Sequence, residues 1–130
     1  MQFKFPGNQK LKSSKDISLL FDSGDTISNP PVRIKYIISS ETKNPPVLAA
    51  FSVSKKLFKS AVKRNLLKRR MREAYRLNKQ SLFTIAEKKQ KSIILIFIYN
   101  SSQVTPFIEI ETSVKIIISK LNSRFLESIL

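Results

Sequence analysis

Eleven lysines and arginines but a single acid, Glu73, lie within residues 51–79, so ten units of the chain's formal net charge of +15 sit in that one stretch. A segment this charged must stay at the surface with one side turned inward, because unpaired ionised groups are too costly to strip of water. From Lys63 to Arg76 the charges have helical spacing: Arg64, Lys68, Arg72 and Arg76 recur every four residues and share one face. Val62, Leu66, Leu67, Met71, Ala74 and Tyr75 make the apolar side of the same helix, with Ser60 as its N-cap. A rise of about 1.5 Å per residue repeats the basic row every ~6 Å, comparable to the spacing of successive phosphates on a nucleic-acid strand. These charges repel one another in the absence of an anion, and the helix is suited to lie against a polyanion.

The rest of the chain supplies one domain for that helix to rest on. Its 130 residues, 42% of them apolar, suffice for a single core, and no repeat, low-complexity tract or long linker divides them. Residues 1–12 are polar and basic, broken by Pro6 and Gly7, and are expected to form a flexible arm ahead of an RNA-binding α+β domain at 13–130. Ser13 followed by Asp16 caps a short helix with Ile17, Leu20 and Phe21 on one face, and Gly24 offers it a left-handed stop. Pro30 and Pro31 precede a strand at 32–38, where Val32, Ile34, Tyr36 and Ile38 alternate with Arg33 and Lys35. A second alternating strand at 47–54 is expected to pair antiparallel with it.

Beyond the basic helix, helical character continues through residues 82–89, and 92–99 is an apolar, buried strand. Thr105 and Pro106 fit an N-cap and first-turn proline. The helix they open buries Phe107, Ile110, Val114, Ile117, Leu121 and Phe125. The order helix, strands, helix, strand, helix gives a small α+β domain with a mixed sheet.

Composition narrows the chemistry. There is no cysteine and no histidine, which removes disulfides, thiolate sites, a cysteine nucleophile and the usual neutral-pH general base. Glu109 and Glu111 are the only close pair of carboxylates; they sit in the first turns of a helix, where the macrodipole favours acids, and lack a third ligand. No metal site or catalytic residue is expected in the protein. The longest apolar run is strand-length, and residues 1–7 have no apolar core of a secretory signal, so a cytoplasmic protein is expected. A sequence pI near 10.4 favours acidic partners, nucleic acid first and anionic membrane second.

Residues 51–76 read FSVSKKLFKSAVKRNLLKRRMREAYR, and this stretch resembles the protein subunit of bacterial ribonuclease P. That family has a strand ending Phe-Ser-Val-Ser-Lys-Lys, then Ala-Val-x-Arg-Asn-Arg opening a basic helix that continues Lys-Arg-x-x-Arg-Glu. Phe51 to Lys56, Ala61, Val62, Arg64, Asn65, Lys68, Arg69, Arg72 and Glu73 fall in register. Three positions depart. Leu66 stands in place of the motif's second arginine, Ile17 where phenylalanine is frequent, and Tyr99 with Asn100 where alanine and arginine are usual.

The resemblance implies a ribosomal-protein-like fold with a left-handed βαβ crossover. It also implies an activity, the endonucleolytic 5′ maturation of transfer RNA. The partners would be a catalytic RNA subunit and precursor transfer RNA, with no membrane and no obligate protein partner, and Mg²⁺ would be held mainly by the RNA. Arg64, Asn65, Lys68, Arg69, Arg72, Arg76, Lys55 and Lys56 would bind RNA. Phe21, Lys35, Tyr36 and Phe51 would line a cleft for the unpaired 5′ leader. Against this stand a ribosomal or other structural RNA-binding protein with no reaction, a self-sufficient nuclease, and a binder of anionic membranes.

Overall fold

A strand that is apolar at every position from Ile93 to Tyr99 is stable only where both of its faces are covered. In the computed structural model, which describes residues 4–127, that strand is indeed central. The elements are α1 (Ser14–Ser23), β1 (Asp25–Asn29), β2 (Val32–Ser39), β3 (Val47–Ser52), α2 (Ala61–Asn78), α3 (Gln80–Lys89), β4 (Ser92–Tyr99) and α4 (Phe107–Glu127). The sheet order is β1-β2-β4-β3; β4 runs antiparallel to β2 and parallel to β3.

Two points correct the sequence reading. β2 and β3 are not neighbours, because β4 lies between them and pairs Phe97 with Ile34 on one side and Phe51 on the other. The most apolar strand takes the centre, and the α2–α3 crossover supplies the long connection that a parallel pair requires. The second point is β1, which has only Ile27 as an apolar residue and gave no strand signal. It pairs with β2 across a two-residue turn at Pro30 and Pro31, with Asn29 opposite Val32.

Strand alternation divides the core in two. Ile34, Tyr36, Ala49, Leu95 and Phe97 face α2, α3 and α4, meeting Leu67, Met71, Tyr75, Leu82, Leu121 and Phe125. The opposite face presents Ile96 and Ile98 to Leu11 and to Leu20 of α1. The apolar stripe of α2 is narrower than its sequence implied: Leu67, Met71, Ala74 and Tyr75 are buried, Leu66 is half-buried and Val62 is 79% exposed.

Helix ends follow their capping residues. Ser13 accepts the Asp16 amide at 3.2 Å, and Ser60 accepts that of Lys63 at 3.3 Å. Gly24 ends α1 in an extended conformation, φ −70°, instead of the left-handed one. Glycine is needed there for room, since a Cβ would lie 2.5 Å from the Leu20 carbonyl oxygen. α4 starts one residue later than Thr105 and Pro106 suggested. Pro106 accepts the amides of Glu109 and Ile110, and the Thr105 hydroxyl instead meets the Tyr99 hydroxyl at 2.8 Å.

The segment ahead of α1, expected as a flexible arm, lies along the free edge of β3. Lys10 bridges to Ala49 in parallel sense, the Leu11 amide donates to the Ala49 carbonyl at 2.9 Å, and Leu11 is buried. Residues 1–3 of that segment fall outside the described part of the chain.

Candidate nucleic-acid interface

At the β3 edge the outer face of α2 meets the N-terminal segment, and a groove of about 330 Å³ opens between them. Lys68 and Arg72 of α2 line it with Phe51, Ala49 and Ala50 of β3, Ile17 of α1, and Phe5, Lys10, Leu11 and Lys12. Four cations and no acid face this space. Its aromatic wall is held in place from beneath. The Phe51 ring stacks on Phe97 at 5.2 Å and 11°, and meets Phe5 and Tyr75 edge-on at 5.7 and 5.8 Å. Tyr75 is fully buried, and that burial pushes its hydroxyl's pKa strongly upward.

The basic row of α2 is not uniform. Only Lys68 and Arg72 open onto the groove. Arg64 turns back on the connection before the helix, donating through Nη1 to the carbonyls of Phe58 and Lys59 at 2.7 and 2.9 Å. Arg76 pairs with Glu73 through Nε at 3.1 Å and Nη2 at 2.5 Å. Those hydrogen bonds hold the Glu73 carboxyl below its ordinary range, partly opposed by burial and helped by the charges of Arg76 and Arg72. Asn65 is exposed at the first turns of α2, and Lys55 and Lys56 are exposed on the turn after β3.

Arg69 lies on the side of α2 that faces α4, beside a separate cavity of about 240 Å³ lined also by Arg70, Glu73 and Phe107. Arg70 Nη1 donates to the Thr105 carbonyl at 2.6 Å, tying the β4–α4 connection to the basic helix.

The structure brings together only part of the expected cleft. Phe51 lines the groove. Phe21 is 45% exposed on α1, one turn beyond Ile17, so the two share a helix face. Lys35 projects on the α1 side of the sheet, its Nζ 3.4 Å from the Thr26 hydroxyl. Tyr36 does not belong with them. Its even position in β2 turns it away from Lys35 to the sheet face that also carries Phe51 and Phe97, where it is buried beneath α4 and its hydroxyl accepts from Arg124 at 2.6 Å.

The three departures have plain surroundings. Ile17 lines the groove, Leu66 is half-buried on α2, and the Tyr99 hydroxyl donates to the Gln103 carbonyl at 2.5 Å and holds the start of α4. Reading the sequence missed Phe5, Lys10 and Lys12 as groove residues. The signal present was the alternation Lys10-Leu11-Lys12, too short by itself to mark a strand-like segment with one apolar residue turned inward.

Glu109 and Glu111 do not converge, since residues two apart on a helix point about 200° away from each other. Glu111 instead accepts from Asn78 at 3.3 Å. Among the described residues there is no group of three acids that could hold a metal ion, and no helix is long and apolar enough to cross a membrane.

The family model for ribonuclease P matches residues 5–122, taking in the sheet, the groove and all of α2. The chain belongs to the ribonuclease P protein family. A ribonuclease P protein component of Porphyromonas gingivalis is 32% identical over 113 residues, which cover 87% of this chain and 82% of that one. Another, of Chlorobium phaeobacteroides, is 40% identical over 80 residues, 59% of this chain and 55% of its own. The solved RNase P protein of Staphylococcus aureus superposes with a TM-score of 0.63 at 22% identity, over 87% of this chain and 94% of that one, which shows a shared α+β fold.

Proposed function

We propose that this chain is the protein component of ribonuclease P, binding the catalytic RNA and the 5′ leader of precursor transfer RNA in the cytoplasm to assist endonucleolytic 5′ maturation. The observation that carries this reading is the groove beside α2, where Lys68 and Arg72 stand next to the Phe51 ring with no acid among the lining residues. Cations bind the phosphates of a strand whatever its sequence, and an aromatic ring accepts any unpaired base on its face. Phe21, on the helix face that continues from Ile17, adds a second ring around the β3 edge on the α1 side of the sheet, and Lys35 adds charge on that α1 side, opposite the face that carries Phe51.

Asn65 and Arg69 project from the start and flank of α2, Lys55 and Lys56 from the turn after β3, and all four would meet the RNA subunit. Arg64 serves that surface by holding the connection that carries Lys55 and Lys56. Arg76 is kept in orientation by Glu73 at the far end of the row. Tyr36 is withdrawn from the leader contacts. The protein thus grips and orients strands and screens the repulsion between two large polyanions. Mg²⁺ held by the RNA would supply activated water; among the described residues of this chain no group of three acids could hold a metal ion.

The test is cleavage of a precursor transfer RNA by the RNA subunit alone, the protein alone, and both together at low Mg²⁺. Multiple turnover by the pair and no cleavage by the protein alone is the expected result. Cleavage by the protein alone would make it a nuclease in its own right, and no gain over the RNA alone would leave it a structural RNA-binding protein.

A further inference from the structure

We infer that residues 5–12 form a wall of the RNA groove, with Lys10 and Lys12 as further phosphate-binding residues and Lys79 as the residue that positions them. The inference rests on the groove's binding an unpaired RNA strand and extends that site to a part of the chain far from α2 in sequence.

Three observations support it. Leu11 is buried against Leu20, Ile96 and Ile98 while Lys10 and Lys12 on either side are exposed and line the groove, so both ammonium groups face outward. One strand repeat separates them by about 7 Å, a spacing suited to neighbouring phosphates. Second, the segment is anchored by an unusual buried cation. Lys79, at the junction of α2 and α3, is only 3% exposed, and its Nζ donates to the Lys4 carbonyl and to Gln9 Oε1, the latter at 2.5 Å.

That ammonium also lies 5.7 Å from the Phe5 ring and 5.3 Å from Phe83. Third, Phe5 joins the aromatic wall, edge-on to Phe51 and Tyr75 at 5.7 and 5.6 Å, with Lys10 Nζ 5.8 Å above it. A segment that merely covered the β3 edge would need no cations facing the groove, although lysines are common on protected edges.

The experiment measures the affinity of the full-length protein for a single-stranded oligouridylate across a range of salt concentrations. Each single-strand phosphate neutralised contributes about 0.7 to the slope of log affinity against log salt. The double variant Lys10→Ala, Lys12→Ala is expected to lower that slope by about 1.4 with an unchanged melting temperature. Lys68→Ala, Arg72→Ala lowers it as well, which tests the groove itself. If that control loses slope and the Lys10, Lys12 variant keeps it in full, the segment only covers an edge and the inference is overturned. If neither loses slope, the groove reading fails and takes the inference with it.

Lys79→Met is expected to lower the slope in the wild-type background and to add nothing to Lys10→Ala, Lys12→Ala, since positioning matters only for residues that are present. An equal effect in both backgrounds would overturn the positioning role.

Discussion

Arg64 holds two main-chain carbonyls 2.7 and 2.9 Å from its Nη1, so its contribution is as much to the shape of the β3–α2 connection as to charge. A lysine keeps the charge but is shorter and lacks the planar guanidinium whose Nη1 sits between both oxygens. Arg64→Lys should therefore destabilise the fold by about 1 to 2 kcal/mol, measured by urea denaturation, while leaving the salt dependence of RNA binding unchanged. Glu73 has its own signature. Its folded-state pKa is depressed below the ordinary 4.5, so the stability it contributes is present above that value and lost as pH falls through the folded one. Melting temperatures of wild type and Glu73→Gln should differ at pH 7 and draw together as the pH is lowered below 4.5; no gap at pH 7, or a gap that widens on acidification, would contradict the pairing.

Among the elements, α2 was the most legible, because capping and helical spacing are local. Ser60, the buried Leu67, Met71, Ala74 and Tyr75, and the basic row all follow from residues within a few positions of one another. Val62 escaped that logic: it stands in the first turn of α2, ahead of the buried stripe that begins at Leu67, and it is exposed. Gly24 was recognised as a stop for the wrong physical reason. Its backbone suits any residue, but a Cβ would press on the Leu20 carbonyl. Gly24→Ala should accordingly cost about 1 to 3 kcal/mol as an overpacking effect, read as a lower melting temperature. A neutral substitution would show that the α1–β1 turn shifts freely.

For the whole molecule, the α+β class and the family were readable, and the arrangement of the sheet was not. Periodicity shows which residues share a strand face but not which strand lies next to which, so the placement of β4 between β2 and β3 had no local signal. The same gap explains Tyr36: alternation separated it from Arg33 and Lys35, yet only the packing of α1 on one face and α4 on the other decides that Tyr36 is the one buried. Phe5, Lys10 and Lys12 were out of reach because their role depends on pairing with β3, roughly forty residues away in sequence.

In the proposed function the groove beside α2 grips the unpaired leader. The most direct test of this compares the affinity of the assembled RNA–protein complex for a precursor transfer RNA with that for the same transfer RNA lacking its leader. Wild type should favour the precursor, and Lys68→Ala, Arg72→Ala should erase most of that preference while mature transfer RNA binds as before. A leader preference that survives both substitutions would show that the leader is held somewhere other than this groove.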